Sequence, residues 1–301
     1  MTRVPSAARR AATLAGLGAI VLWSSLALLT TLTDGLPPFQ VLATGFGIAG
    51  AAGVLRTAWR GRAGWAAWRA PPAALALAVG GLFGYHALYF FALKHAPAVE
   101  ANLLNYLWPL LIVVFAALLP GTRLRGGHLA GALLGLAAAA LLVTRGQPLS
   151  ALDARAVPGY LAALGAAAVW AAYSLLNRRH AQVPVDAVVP ACLLVAVLGL
   201  GMHLAFERSV PPAPGQWLAL VAMGLGPVGM AFALWDAGTK HGDIALLGSL
   251  SYLAPLLSTA LLVAAGRAPA HWMQAVAVAL LLAGAWCALR ASRPAHAGAM
   301  A

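Results

Sequence analysis

The chain has 301 residues, of which 62% are hydrophobic and only 9% are charged. Soluble domains carry about 25% charged residues, so this composition excludes an ordinary soluble domain. The net charge of +12 comes from Lys and Arg at the ends of apolar segments, which is typical of cytoplasmic segment ends in membrane proteins rather than of nucleic-acid binding.

Ten apolar stretches of 17 or more residues follow one another along the chain, and the connections between them are too short for a soluble domain. At about 1.5 Å per residue, each can cross a hydrocarbon core roughly 30 Å thick. We therefore predict an all-α integral membrane protein with ten transmembrane helices. The predicted spans are 11–32, 39–58, 72–93, 98–119, 127–145, 158–177, 187–206, 216–237, 244–265 and 272–290.

The Lys and Arg residues are distributed unequally between the two sides that this topology creates. The side that holds both chain ends collects 14 of them, and the other side holds 5. Because Lys and Arg accumulate in cytoplasmic loops, we predict that both termini are cytoplasmic.

The third span carries two tyrosines on one helix face. Tyr85 and Tyr89 are four residues apart, and His86 lies beside them. A histidine at membrane depth usually forms hydrogen bonds between helices. The alternative is that His86 lines a cavity and hydrogen-bonds a substrate carboxylate.

The fourth span holds the densest polar and aromatic cluster of the sequence. It contains Asn102, Asn105, Tyr106, Trp108 and Pro109 within eight residues. The proline removes a backbone donor and its ring opposes the carbonyl four residues earlier, so a kink near Asn105 is predicted.

The sixth span carries a stripe at helical spacing. Trp170, Tyr173, Ser174 and Asn177 fall at i, i+3, i+4 and i+7, which places them on one face. Such a stripe can be an interfacial aromatic anchor or the wall of a cavity. The depth of Trp170, about two turns from the span's end, favours the cavity.

The eighth and ninth spans contain candidate gating residues. Gly226 and Pro227 are candidate flexing points in the eighth span, and Pro255 predicts a second kink near Tyr252. Lys240 ends the eighth span, where it is either an ordinary helix-end cation or a group that attracts the anionic part of a solute.

The sequence repeats itself after about half its length. The pattern of Leu104–Leu111 (LNYLWPLL) recurs 146 residues later in Leu250–Leu257 (LSYLAPLL), and Lys94-His95 recurs as Lys240-His241. Trp23 likewise recurs as Trp170, at a shift of 147. We predict two five-helix repeats, 1–147 and 148–301. Because each has an odd number of crossings, they enter the membrane from opposite sides and are inverted.

Several functional classes are disfavoured. All seven carboxylates lie near segment ends or in connections, whereas a pump of organic cations is expected to use one deep in the membrane. The sequence has no phosphate-binding P-loop, dinucleotide fingerprint, hydrolytic triad or cluster of metal ligands. No enzyme activity, catalytic residue, metal or cofactor is therefore predicted.

The chain resembles the drug/metabolite transporter superfamily, in its EamA-like branch, over essentially its whole length. The segments GYHALYFFALK at 84–94 and NYLWP at 105–109 are similar to those of the YddG-type exporters of aromatic amino acids. This resemblance implies a basket of helices with a central, largely hydrophobic cavity and export from the cytoplasm across a bacterial inner membrane. The cavity residues that it implies are Tyr85, His86, Tyr89, Tyr106, Trp108 and Trp170, to which the repeat adds Trp23.

These features together predict a transporter that exports aromatic amino acids and related metabolites by alternating access. Candidate substrate contacts also include Asn102, Asn105, Tyr173 and Tyr252, and the candidate gate is formed by Pro109, Pro255, Gly226 and Pro227. The alternatives are an exporter of other flat solutes, such as nucleobases or cationic drugs, and a membrane-embedded enzyme or assembly subunit. The expected partners are a small-molecule substrate and membrane lipid, with the chain acting as a monomer or a homodimer.

Overall fold

The computed structural model describes residues 6–117, 124–144, 154–267 and 269–292, and every regular element in these ranges is helical. We group the helices into ten segments, separated by the connections. They are α1 (Ser6–Ser24 and Leu26–Leu32), α2 (Pro38–Trp59, followed by the short helix Gly61–Ala66), α3 (Pro72–His95), α4 (Ala98–Asn105 and Trp108–Ala116), α5 (Gly126–Thr144), α6 (the turn Ala154–Ala156, then Val157–Leu176 and Asn177–His180), α7 (Val185–Ala187 and Val188–Phe206), α8 (Pro214–Met223, Gly224–Met230 and Ala231–His241), α9 (Ile244–Leu250 and Leu253–Ala264) and α10 (Trp272–Ser292).

Eight of these segments, among the described residues, are long and apolar enough to cross a membrane. The other two, α4 and α5, contain shorter apolar helices, Glu100–Ala116 and Gly126–Leu141. The chain is thus a multi-pass membrane protein. The predicted spans 98–119 and 127–145 both extend beyond the described residues, as do the predicted boundary at 147/148 and four of the counted arginines, which are Arg3, Arg123, Arg145 and Arg293.

The segments pack across the two halves of the chain. Segment α1 lies along α8, α3 along α6, α2 along α7 and α5 along α10. Segment α4 lies against α6 and α9, while α9 also lies against α1. The principal core therefore runs through both halves, and a second, smaller core lies between α4, α5, α9 and α10.

Small residues bring paired helices close together. A Cβ atom on Gly131 would lie 2.7 Å from the Gly284 carbonyl oxygen, and one on Gly238 would lie 2.7 Å from the Gly16 Cα atom. Lipid tails are as apolar as leucine side chains, so close van der Waals packing is what holds such helices together. The α5–α10 and α1–α8 pairs therefore depend on these glycines.

The two predicted proline kinks are confirmed, and both are full interruptions of the helix. In α4 the helix stops at Asn105 and resumes at Trp108, and in α9 it stops at Leu250 and resumes at Leu253. The helix breaks just before Pro109 and Pro255 because a proline nitrogen cannot donate to the carbonyl one turn earlier. A third irregularity is the π-helical stretch Gly224–Met230 of α8, which contains Pro227.

Candidate functional site

A group of aromatic side chains surrounds Trp170 in the principal core. Six rings have centroids between 5.3 and 6.3 Å from that of Trp170, and with Trp170 they form what we call the ring cluster. They come from α1, α3, α4, α6 and α8, so the cluster joins both halves of the chain. The six are Trp23, Tyr85, Trp108, Tyr173, Phe232 and Trp235.

The cluster is closely packed in this conformation. Trp23 and Trp170 meet edge to face at 5.5 Å, and Trp23 also contacts Trp235 at 5.1 Å. Edge-to-face and tilted pairs at such distances are in van der Waals contact. Another aromatic ring can therefore enter between these members only if they separate.

Two tryptophan N–H groups of the cluster are satisfied by partners on other segments. Trp23 Nε1 donates to the Pro227 carbonyl oxygen over 3.0 Å, and Trp235 Nε1 donates to Ser174 Oγ over 3.1 Å. The first bond ties α1 to the π-helical stretch of α8, and the second ties α8 to α6. The predicted cavity residue Trp23 and the predicted gating residue Pro227 are thus direct partners.

Polar groups of α3 and α4 border the cluster. Asn105 Nδ2 donates to Tyr85 Oη over 3.1 Å, and Tyr89 Oη donates to Asn102 Oδ1. Asn105 is 5% exposed, and its Oδ1 atom has no hydrogen-bond partner among the described residues. A buried acceptor without a partner costs free energy, so this oxygen is a candidate contact for a substrate donor.

His86 lies beside the cluster without bridging two helices. Its Nδ1 is 2.7 Å from the Leu82 carbonyl oxygen on the same helix, and its ring meets Phe46 edge to face at 5.5 Å. Because a carbonyl oxygen can only accept, Nδ1 carries the proton, and Nε2 of the neutral ring is left as the acceptor. Among the described residues, His86 does not form the helix-to-helix hydrogen bond considered for it.

Two of the predicted site residues, Tyr106 and Tyr252, lie in the second core. Tyr252 is fully buried in the second core, where its Oη donates to the Tyr106 carbonyl oxygen over 3.0 Å, and Tyr106 packs in the same core. A Cβ atom on Gly135 would lie 2.3 Å from the Tyr252 ring. The structure therefore places these repeat-equivalent tyrosines where the breaks of α4 and α9 meet, and outside the ring cluster.

A buried polar group lies next to the ring cluster at the Lys240 end of α8. Lys240 Nζ is 2.7 Å from Asp236 Oδ2 and also donates to the Val183 carbonyl oxygen over 3.0 Å. Asn177 Nδ2 donates to Asp236 Oδ1 over 2.8 Å and to Thr239 Oγ1 over 3.1 Å. We call the side chains of Asn177, Asp236, Thr239 and Lys240 the polar lock, because they join α6 to α8.

The α6 stripe faces inward, as predicted, whereas its role as a cavity wall stays a prediction. Trp170, Tyr173, Ser174 and Asn177 are all buried, the first two in the ring cluster and the last in the polar lock. Sequence analysis missed Phe232, Trp235 and Asp236. The signal that could have found Asp236 is its i, i+4 spacing to Lys240 on one helix face.

Comparisons with known proteins agree on a transporter. The sequence model of the EamA-like transporter family matches residues 10–144 and again residues 157–290. A curated relative in Ancylobacter novellus, named aromatic amino acid exporter YddG, is 50% identical over 92% of this chain and 96% of its own length. The protein of the same name in Escherichia coli K12 is 27% identical over 90% of this chain and 94% of its own length.

A solved crystal structure is also similar in sequence and in fold. It has 48% sequence identity and a TM-score of 0.89, and the match covers 95% of this chain and 100% of the solved one. The family and the relatives are transporters and not enzymes. Within the described residues, no group of three or more His, Cys, Asp or Glu side chains could hold a metal ion.

Proposed function

The chain belongs to the EamA-like transporter family, and from that membership we propose that it exports aromatic amino acids and related metabolites by alternating access. The relative at 50% identity is named an aromatic amino acid exporter. The observation that carries the proposal is the ring cluster, which gathers seven aromatic side chains from both halves of the chain around Trp170.

The proposed topology is ten crossings of a bacterial inner membrane, built as the inverted repeats 1–147 and 148–301 with both termini in the cytoplasm. Three observations support it. The family matches twice along the chain, and Lys and Arg favour the side of the termini by 14 to 5. In addition, α1 packs on α8, and their repeat equivalents α6 and α3 pack on each other in the same way. A twofold relation between the repeats requires this correspondence.

The proposed contacts divide a substrate into two parts. Its ring packs against Trp108, Trp170 and Tyr85, where each aromatic pair contributes about 0.5–1.5 kcal/mol beyond area burial. Once the substrate is inside, its ammonium donates to Asn105 Oδ1, the buried acceptor for which the described part of the chain supplies no partner. The total remains modest because the rings must first separate from one another, and weak binding allows release on the far side.

The proposed movement is a rocking of the two halves about the irregular parts of the helices. The breaks before Pro109 and Pro255 and the π-helical stretch around Gly226 and Pro227 lack the regular hydrogen bonding of an α-helix. Bending there changes the distance between α4, α8 and α9 without unfolding them. In this account the chain acts as a monomer or a homodimer, surrounded by membrane lipid.

The test is transport of labelled phenylalanine in proteoliposomes by the wild type and by the double variant Trp108→Ala plus Trp170→Ala. We expect the double variant to lose at least about fivefold in transport, since two pairs of about 0.5–1.5 kcal/mol each disappear. The matched control is Trp59→Ala plus Trp217→Ala, because these tryptophans are 93% and 47% exposed. Unchanged transport by the cluster variant contradicts the proposed site.

The same assay separates the substrate classes. Tyrosine and tryptophan should compete with labelled phenylalanine, whereas leucine should not. Stronger competition by a nucleobase or a flat cationic drug, which could stack on the same rings, would instead assign the chain to the export of other flat solutes.

A further inference from the structure

The polar lock contains two full charges that the packing of the helices does not require. The Asp236 and Lys240 residues are 3% and 6% exposed, and their carboxylate and ammonium groups lie 2.7 Å apart. Burying a pair of charges is expensive, and an apolar pair of similar volume often stabilises a protein equally well. A buried ion pair is therefore weak evidence for a purely structural role.

The lock joins α6 to α8 directly beside the ring cluster. Trp235 directly precedes Asp236, and Tyr173 lies one turn before Asn177. A crevice beside the pair is lined by Ala74, Ala78, Asn177, Val183, Asp236 and Lys240. The Lys and Arg count assigns this end of α8 to the cytoplasm, where an exported solute is taken up.

We propose that the Asp236–Lys240 pair is a gate on the cytoplasmic side that the zwitterionic end of the substrate opens by exchanging partners with it. The inference deepens the proposed function and depends on it. The carboxylate of the substrate replaces Asp236 at the Lys240 ammonium, and the ammonium of the substrate replaces Lys240 at the Asp236 carboxylate. No covalent bond changes, and both protein charges are paired before and after the exchange.

The selectivity of this gate follows from the need to pair both charges. Separating a buried ion pair leaves each charge uncompensated, which strongly opposes opening. An α-amino acid supplies both replacements together, whereas an amine or a carboxylic acid supplies only one. The remaining bonds, from Asn177 to Asp236 and from Lys240 to the Val183 carbonyl oxygen, keep the two groups in position during the exchange.

The test compares phenylalanine with 2-phenylethylamine, which lacks the carboxylate, and with 3-phenylpropionate, which lacks the ammonium. All three compete for transport of labelled phenylalanine into proteoliposomes. For the wild type we expect phenylalanine to compete at least about tenfold better than either analogue, the factor that 1.4 kcal/mol produces. For Asp236→Leu plus Lys240→Met we expect the preference to fall to about twofold or less.

Two controls make the result specific. Lys94→Met changes the repeat-equivalent lysine, which is exposed, and should keep the preference of the wild type. The conservative variant Lys240→Arg keeps the positive charge and a donor for the Val183 carbonyl oxygen, and should retain most of it. The gate is contradicted if the apolar double variant still prefers phenylalanine as the wild type does. The proposed function itself fails if the wild type transports no phenylalanine.

A second measurement avoids changing the lock. A cysteine is introduced at Ala78, which lines the crevice, in a chain with Cys192→Ala and Cys287→Ala. We expect phenylalanine to increase the rate at which an impermeant maleimide labels this cysteine, and neither analogue to do so. The proposal is overturned if labelling in the presence of phenylalanine is no faster than labelling with either analogue or with no compound added.

Discussion

The Lys240 end of α8 and the Lys94 end of α3 occupy equivalent positions in the repeat but differ in chemistry. Lys240 is buried and paired with Asp236, whereas Lys94 is exposed. The residue equivalent to Asp236 in α3 is Phe90, which meets Phe39 of α2 edge to face at 5.4 Å. One end is therefore held by an ion pair and its hydrogen bonds, and the other by aromatic packing.

This difference indicates what the duplication has conserved and what it has not. The packing partners are equivalent, since α8 lies along α1 as α3 lies along α6. The polar groups at the two ends are not equivalent. Because the two ends differ in chemistry, we expect them to open at different cost.

The largest expected effect comes from removing one partner of the buried Asp236–Lys240 ion pair. Lys240→Ala leaves Asp236 buried without its partner and should lower the free energy of unfolding by about 3–5 kcal/mol. Lys94→Ala should change it by less than about 0.5 kcal/mol, as is usual for exposed positions. Unfolding of the detergent-solubilised proteins by denaturant measures both. Equal losses in the free energy of unfolding at Lys240 and Lys94 would contradict the proposed difference between the two ends.

A smaller effect is expected at Trp235, which lies next to the lock. Trp235→Phe removes the N–H that Ser174 Oγ accepts in a fully buried position, and should cost about 1–3 kcal/mol. Trp272→Phe is the matched control because Trp272 is 69% exposed. Thermal unfolding of the two variants should differ clearly, and indistinguishable midpoints would show that the buried bond contributes nothing.

The equivalent position in α3 should be less sensitive. Tyr89→Phe removes the hydroxyl that donates to Asn102, in a part-buried site, and should cost about 0.5–1.5 kcal/mol. Thermal unfolding, measured as for Trp235→Phe, allows the losses of stability at the two ends to be compared. A loss at Tyr89 that exceeds the loss at Trp235 reverses the assignment of the more tightly held end.

The smallest effect is expected for the exposed ion pair of Arg9 and Asp243, whose atoms lie 2.8 Å apart. The Arg9 side chain is 56% exposed, so Arg9→Gln should cost about 0.2–1 kcal/mol. Salt screens exposed charges, so this cost should diminish further in 1 M salt. A cost as large as that of Lys240→Ala would show that burial is not what distinguishes the lock.

Local chemistry in the sequence predicted some of these features well. The breaks before Pro109 and Pro255 follow from the missing donor of proline, and the inward face of the α6 stripe follows from helical periodicity. The family resemblance implied that Trp108 and Trp170 line one cavity, and the structure brings their rings together at 6.3 Å. That they contact substrate remains a prediction.

Other features depend on tertiary packing and could not be found from local patterns. The bond between Asn177 and Asp236 joins residues 59 apart, and no periodicity relates them. Tyr252 was a candidate substrate contact as the repeat equivalent of Tyr106, and the repeat did not indicate that its ring packs in the second core beside Gly135. Substrate contact by Tyr252 stays a prediction.

Recognition of aromatic amino acids by the ring cluster can be measured through the melting temperature of the purified protein in the presence of each of the twenty amino acids, since a ligand that binds only the folded state raises this temperature. We expect an increase with phenylalanine, tyrosine and tryptophan that Trp170→Ala abolishes. Equal increases with leucine and phenylalanine, or an unchanged response in Trp170→Ala, would contradict it.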